Sequence, residues 1–191
     1  MRAAALVFAV VVLSGCGGGA KKTSFAGSAI SPPLDAPQFT LSDQAGAPIT
    51  LAAQRGHYVV VTFLYTHCPD VCPVIASTLN RVLQTRLARA ARLRVLAISV
   101  DPRGDTPASV NRFVREHRLS PEFRYLTGSR GRLAPVWKSF HVAATAGPSA
   151  TVSHSAFEIL IDPQGRERLV YDSSVTAGAL EGDLHRLMRS A

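Results

Sequence analysis

Cysteine is scarce in this chain, and the apolar runs are short. Only three of the 191 residues are cysteines, which excludes a small scaffold held together by many disulfides. Two of them, Cys68 and Cys72, lie four positions apart, so a disulfide between them would close a tiny loop and stabilise the fold little. The eleven-residue apolar run from Ala3 to Leu13 is too short to span a bilayer, which takes about 20 residues.

Acidic residues are also few. The 13 Asp and Glu residues face 21 Lys and Arg residues, which gives a net charge of +8 at pH 7. The arginines are scattered rather than arranged as a basic stripe with aromatic residues, so the pattern argues against nucleic-acid binding. Arg81, Arg89 and Arg92 are predicted to lie on the solvated face of one helix. A basic surface of this kind favours an acidic partner or anionic lipid headgroups.

The N-terminus has the pattern of an export signal. Arg2 precedes the apolar run, and small residues lead to Cys16, as in a bacterial lipobox whose cysteine becomes lipidated. An ordinary secretory signal with an incidental cysteine is the alternative. We therefore predict a signal peptide over residues 1–15, a flexible tether over 16–36, rich in Gly, Ser, Ala and Pro, and one domain over 37–191.

Within that domain, strands and helices are predicted to alternate. A hairpin turn at residues 43–46 separates two short strands, and residues 58–65 and 93–100 are apolar runs typical of buried strands. Periodic apolar residues from Ile75 to Leu87 indicate a helix, and Thr106 followed by Pro107 marks the start of another. Further elements are a strand over 123–126, a helix over 133–140, a loop over 143–153, a hairpin around 162–165 and a final amphipathic helix.

This order predicts an α/β domain with a central mixed sheet flanked by helices. Parallel strands joined by helices, followed by an antiparallel hairpin and a last helix, correspond to a thioredoxin-like fold with an N-terminal β-hairpin extension. Reactive cysteines in such folds lie where the first central strand leads into its helix, and Cys68 and Cys72 occupy that position.

The cysteine pair has two chemical readings. A four-residue spacing on a helix places the two side chains on one face, where their thiolates can hold one soft metal ion or close as a disulfide. The start of a helix lowers a thiol pKa, so we predict that Cys68 is the more exposed and reactive sulfur.

Three motifs resemble the Sco/SenC family of copper-delivery proteins. Residues 62–73 read Thr-Phe-Leu-Tyr-Thr-His-Cys-Pro-Asp-Val-Cys-Pro, residues 98–107 read Ile-Ser-Val-Asp-Pro-Arg-Gly-Asp-Thr-Pro, and residues 152–155 read Val-Ser-His-Ser, followed by Asp-Pro-Gln-Gly at 162–165. The resemblance implies that Cys68, Cys72 and His154 bind one copper ion. It also implies an extracytoplasmic copper chaperone, anchored to the cell membrane through Cys16, that supplies the binuclear copper centre of cytochrome c oxidase subunit II or another copper protein.

Donor chemistry agrees with copper, because two thiolates favour Cu(I) over harder metals and an imidazole suits either copper ion. Zinc is the rival metal, although a structural zinc site usually has four protein ligands. A second hypothesis makes the same cysteines the redox-active pair of a thiol–disulfide oxidoreductase that reduces a partner before metal loading. A peroxide-reducing enzyme is a weaker third reading, because no motif for a peroxide-activating cysteine is evident.

Other residues near these motifs carry weaker predictions. His67 is a less favoured extra ligand, and Asp101 has either a supporting role beside the metal or a role in capping the next turn. Trp137 is predicted to belong to the core, and the remaining histidines are predicted to lie on the surface: His57, His117, His141 and His185.

Overall fold

A computed structural model describes residues 24–143, 145–146, 152–153 and 156–190. Its main feature is a six-stranded sheet in the spatial order β1-β10-β9-β4-β5-β6. The strands of this sheet are β1 (Ser28–Asp35), β4 (Val59–Leu64), β5 (Arg94–Ser99), β6 (Phe123–Leu126), β9 (Phe157–Ile161) and β10 (Arg166–Asp172).

The sheet is mixed, as predicted. Strands β4, β5 and β6 run parallel, while β9 is antiparallel to β4, β10 to β9, and β1 to β10. All six residues of β4 are buried, because this central strand is covered on both faces. The carboxyl ends of β4, β5 and β6 therefore meet at one edge of the sheet, where the cysteine motif begins.

Within the described ranges, five α-helices accompany the sheet: α1 (Val71–Leu83), α2 (Arg86–Ala90), α3 (Pro107–Glu116), α4 (Arg130–Ser139) and α5 (Ala177–Arg189). Helix α1 packs against α5. Phe113 of α3 lies edge-on to Tyr125 of β6, and Phe140, after α4, packs on Phe63 of β4. The predicted thioredoxin-like arrangement of a mixed sheet flanked by helices is confirmed.

The predicted N-terminal hairpin is also present. It consists of β2 (Thr40–Ser42) and β3 (Pro48–Thr50), with Asp43 accepting backbone hydrogen bonds from Ala45 and Ala47 in the turn. Ser42 and Thr127 exchange backbone hydrogen bonds of 2.7 and 3.2 Å, which tie the hairpin to the end of β6.

Three local predictions need correction. Residues 28–35, assigned to the tether, form the edge strand β1, which tolerates Pro32 and Pro33 because an edge strand does not need every N–H. The single predicted helix ends at Leu83, and Thr85 caps a separate α2, so Arg89 and Arg92 do not share a helix with Arg81. The predicted loop contains a short ladder between β7 (Thr145–Ala146) and β8 (Val152–Ser153).

Candidate metal centre

Cys68 and Cys72 lie together at the junction between β4 and α1, as predicted. They do not share a helix face, however, because α1 begins at Val71 and Cys68 precedes it. Both are free thiols, and the backbone N–H of Cys72 donates a hydrogen bond to Cys68 Sγ at 3.4 Å. Cys68 is 8% exposed and Cys72 is fully buried, which confirms that Cys68 is the more exposed sulfur. The pair therefore presents one sulfur near the surface and a second directly beneath it.

The two thiols differ in their tendency to ionise. Burial opposes ionisation of Cys68. Hydrogen bonds from the Cys72 side chain, from the backbone N–H of Asp70 and from the Tyr65 hydroxyl outweigh this effect and lower the Cys68 pKa. For Cys72, burial and the neighbouring Cys68 raise the pKa far above its ordinary value. Burial also raises the pKa of Tyr65 to about 12. Of the two thiols, Cys68 therefore ionises more readily than Cys72.

A buried carboxylate supports the loops that carry the pair. Asp105 accepts hydrogen bonds from the Thr66 backbone N–H at 2.8 Å, from the Ser99 hydroxyl at 2.5 Å and from the Tyr125 hydroxyl at 2.9 Å. These donors lie at the carboxyl ends of β4, β5 and β6, so a single side chain joins three loops. Burial raises the Asp105 pKa, and its hydrogen bonds oppose that rise.

Asp105 is a site residue that its sequence context does not single out. A carboxylate shortly after a buried strand, next to the helix start at Thr106, was the available signal. Nothing in the sequence distinguishes it from Asp101, which the structure places in a different role. Asp101 accepts hydrogen bonds from the backbone N–H groups of Arg103 and Gly104, which is the capping role foreseen as one alternative.

Trp137 lies in the core, as predicted, and His67 directly precedes Cys68 in the chain. His67 is exposed, and its Nδ1 lies 3.1 Å from the Thr66 hydroxyl. Trp137 is buried in the core and donates its indole N–H to the Ser99 carbonyl at 2.9 Å. That hydrogen bond holds α4 against the same end of β5 that Asp105 contacts.

Two predicted functional residues, His154 and Cys16, lie outside the described residues. Across residues 24–143 and 156–190, no group of three or more His, Cys, Asp or Glu side chains could hold a metal ion. The described part of the site therefore supplies two sulfur atoms as candidate ligands. Over the same described ranges, no helix is both long and apolar enough to cross a membrane.

Comparison with known proteins gives a consistent family. The SCO1/SenC family model matches residues 29–189. The mitochondrial protein SCO2 homolog of Bos taurus is 32% identical over 157 residues, which are 78% of this chain and 58% of that protein. The chain thus spans about six tenths of the length of that relative.

Two solved relatives contain copper. The ScoI structure from Arabidopsis thaliana with copper bound has a TM-score of 0.74 and 25% identity, covering 82% of this chain and 99% of that one. ScoI from Bradyrhizobium japonicum with copper bound has a TM-score of 0.70 and 31% identity, covering 80% and 98%. On the family match and on this similarity in sequence and fold, the chain belongs to the SCO1/SenC family.

Proposed function

We propose that this protein is an extracytoplasmic copper chaperone, anchored to the cell membrane through a lipidated Cys16. The cargo is copper, held by Cys68, Cys72 and His154, and the acceptor is the binuclear copper centre of cytochrome c oxidase subunit II. The observation that carries the proposal is the pair of free, adjacent thiols at the β4–α1 junction. The copper-bound relatives add support from outside the chain.

The donor set fits a soft metal. Two thiolates in a mostly buried setting favour Cu(I), and metal binding displaces the protons that the thiols hold at neutral pH. With Cys68 partly accessible and Cys72 beneath it, a partner's ligand can approach the metal from the Cys68 side. An incomplete protein ligand set suits transfer, because an incoming ligand can bind before the metal leaves.

A competition titration with Cu(I) tests this proposal. We expect one tight site, which is lost in Cys68→Ser and in Cys72→Ser and weakens strongly in His154→Ala. His185→Ala, which changes an exposed histidine on α5, serves as the matched control and should bind copper as the unmodified protein does. Equal affinity for zinc, or unchanged Cu(I) affinity in both serine variants, would exclude the chaperone.

The second candidate is a thiol–disulfide oxidoreductase, favoured by the difference between the two thiols. A lowered pKa at the accessible Cys68 suits nucleophilic attack on a disulfide, and the protonated, buried Cys72 suits resolution of the mixed disulfide. An assay of disulfide reduction separates the two functions. Fast turnover together with unchanged Cu(I) affinity in His154→Ala would favour the oxidoreductase, whereas slow turnover and weakened Cu(I) binding favour the chaperone.

A further inference from the structure

A cavity of about 440 Å³ lies at the amino ends of the parallel strands. His57 precedes β4, Arg94 begins β5, and Glu122 precedes β6, and all three line this cavity. The cysteine pair follows the opposite end of β4. Because β4 has six residues, the cavity and the cysteines are about 20 Å apart and share no lining residue.

Three arginines line the cavity: Arg89 of α2, Arg92 after α2, and Arg94. In the described part of the chain, no carboxylate lies within 4.0 Å of their guanidinium groups, although Glu122 lines the same cavity. Four arginines elsewhere in the described ranges are paired with aspartates, while several others are also unpaired: the paired ones are Arg124, Arg166, Arg168 and Arg186. The cavity therefore has three guanidinium groups and one carboxylate, that of Glu122.

Arg94 has one side-chain N–H group without a hydrogen-bond acceptor among the described residues. This group, at Nε, is buried. A buried N–H group without an acceptor costs about 1–3 kcal/mol, and more when the group is charged. An oxyanion in the cavity, which Arg94 lines, could accept two parallel N–H hydrogen bonds from a guanidinium group.

Neutral donors complete the lining. The Gln84 amide and the Ser120 hydroxyl both border the cavity, and within the described ranges neither side chain has a hydrogen bond. The Ser120 backbone N–H is held by Asn80 Oδ1 at 2.8 Å, which fixes this wall of the cavity. The wall thus offers two side-chain donors without a partner in the described ranges, of which Ser120 has its backbone held by the fold.

We propose that this cavity binds a phosphate monoester. Three guanidinium groups and one carboxylate leave a formal charge of +2, which balances a phosphate monoester dianion. Arginine forks match the geometry of phosphate oxygens. The volume exceeds that of inorganic phosphate and leaves room for an attached organic group of modest size. Such a group can belong to a free metabolite or to a lipid headgroup, since both present the same phosphate chemistry.

Isothermal titration of the full chain in neutral detergent with glycerol 3-phosphate tests the proposal. Binding should be saturable at constant ionic strength, and glycerol alone should give no heat. Arg94→Ala and, separately, Arg92→Ala should each weaken binding by about tenfold or more. Arg92 is exposed, so its variant keeps the test valid if Arg94→Ala fails to fold.

Arg118→Ala is the matched control. Arg118 (φ 49°) and Arg92 (φ 51°) both follow a helix in the left-handed conformation, but Arg118 does not line the cavity. The Arg118→Ala variant should change the affinity for glycerol 3-phosphate less than about twofold. Absence of saturable binding, or an equal loss in Arg118→Ala, would overturn the proposal.

Short-chain phosphatidate distinguishes the two sources of the phosphate group. Tighter binding than that of glycerol 3-phosphate assigns the site to a lipid headgroup, and equal or weaker binding assigns it to a free phosphate ester.

Discussion

Glu158 is a fully buried carboxyl group in the middle of the sheet. On β9 it pairs with Thr62 of β4 and Tyr171 of β10, and the Thr62 hydroxyl donates to Oε1 at 3.4 Å. The other oxygen, Oε2, is buried and has no partner among the described residues. Burial raises the Glu158 pKa to about 8, so the folded protein holds a proton here at neutral pH.

This proton makes stability depend on pH. The native state binds a proton that the unfolded chain releases above about pH 4.5, so the free energy of unfolding should fall as the pH rises from about 5 to about 9. This decline in the free energy of unfolding is on the order of 3–5 kcal/mol, and Glu158→Gln should remove it. Urea unfolding of both proteins at several pH values measures the difference, and parallel pH profiles would contradict the assignment.

Two aspartates of one loop should contribute very different amounts to the free energy of unfolding. Asp105→Ala leaves the Thr66 N–H and the Ser99 and Tyr125 hydroxyls without their acceptor, so we expect a loss of about 3–5 kcal/mol in unfolding free energy. Asp101→Ala removes two hydrogen bonds within a partly exposed turn and should cost about 1 kcal/mol. Urea denaturation of the two variants compares them, and equal losses would rule out the bracing role of Asp105.

At the scale of elements, the sequence predicts those whose signals are local. The continuous apolar run of β4 and the Thr106–Pro107 start of α3 both appear in the structure, because burial on two faces and helix capping leave direct marks on the residues. The cysteine pair was predicted for the same reason. Its position follows from the junction of one strand and one helix.

Elements fixed by distant contacts were not predictable. Strand β1 contains two prolines and small residues, and only its pairing with β10 reveals it as a strand. The break between α1 and α2 depends on Thr85, whose hydroxyl accepts from the Ala88 N–H where a continuous apolar pattern favoured one helix. The local signal at Asp105 does not reveal its role, because its partners come from three separate strand ends.

Two glycines offer opposite tests of element geometry. Gly178 lies in the first turn of α5 and a Cβ there would meet nothing within 4 Å, so Gly178→Ala should stabilise the protein by about 0.5 kcal/mol. A Cβ at Gly104 would collide with Asp101 Oδ2 and approach His67 Nδ1 at 3.1 Å, so Gly104→Ala should destabilise the loop beside the cysteines. Thermal unfolding measures both, and a shift of the same sign in the two variants would contradict this geometry.

At the scale of the whole molecule, two candidate binding sites lie at opposite ends of the parallel strands. Their carboxyl ends carry the cysteine pair with Asp105 behind it, and their amino ends carry the arginine-lined cavity. A soft-metal site and a phosphate site at opposite edges can be occupied at the same time. A variant in one should therefore leave the affinity of the other unchanged.

The N-terminal boundary of the domain gives the last prediction. The backbone N–H groups of Ala26 and Gly27 donate to Asp183 at 2.9–3.0 Å, and Asp183 is fully buried in α5. Removing residues 1–36 would take away these donors and expose the edge of β10, whereas removing residues 1–23 would keep both.

We therefore expect the shorter protein to lose several kcal/mol of unfolding free energy, because a buried carboxylate would keep only Tyr171 and Arg186 as partners. Urea denaturation of the two truncated proteins measures this loss. Equal midpoints would mean that residues 24–36 contribute no stability, and the boundary predicted at residue 37 would then stand. A lower midpoint with an intact cysteine site would show that β1 stabilises the sheet without shaping the metal centre.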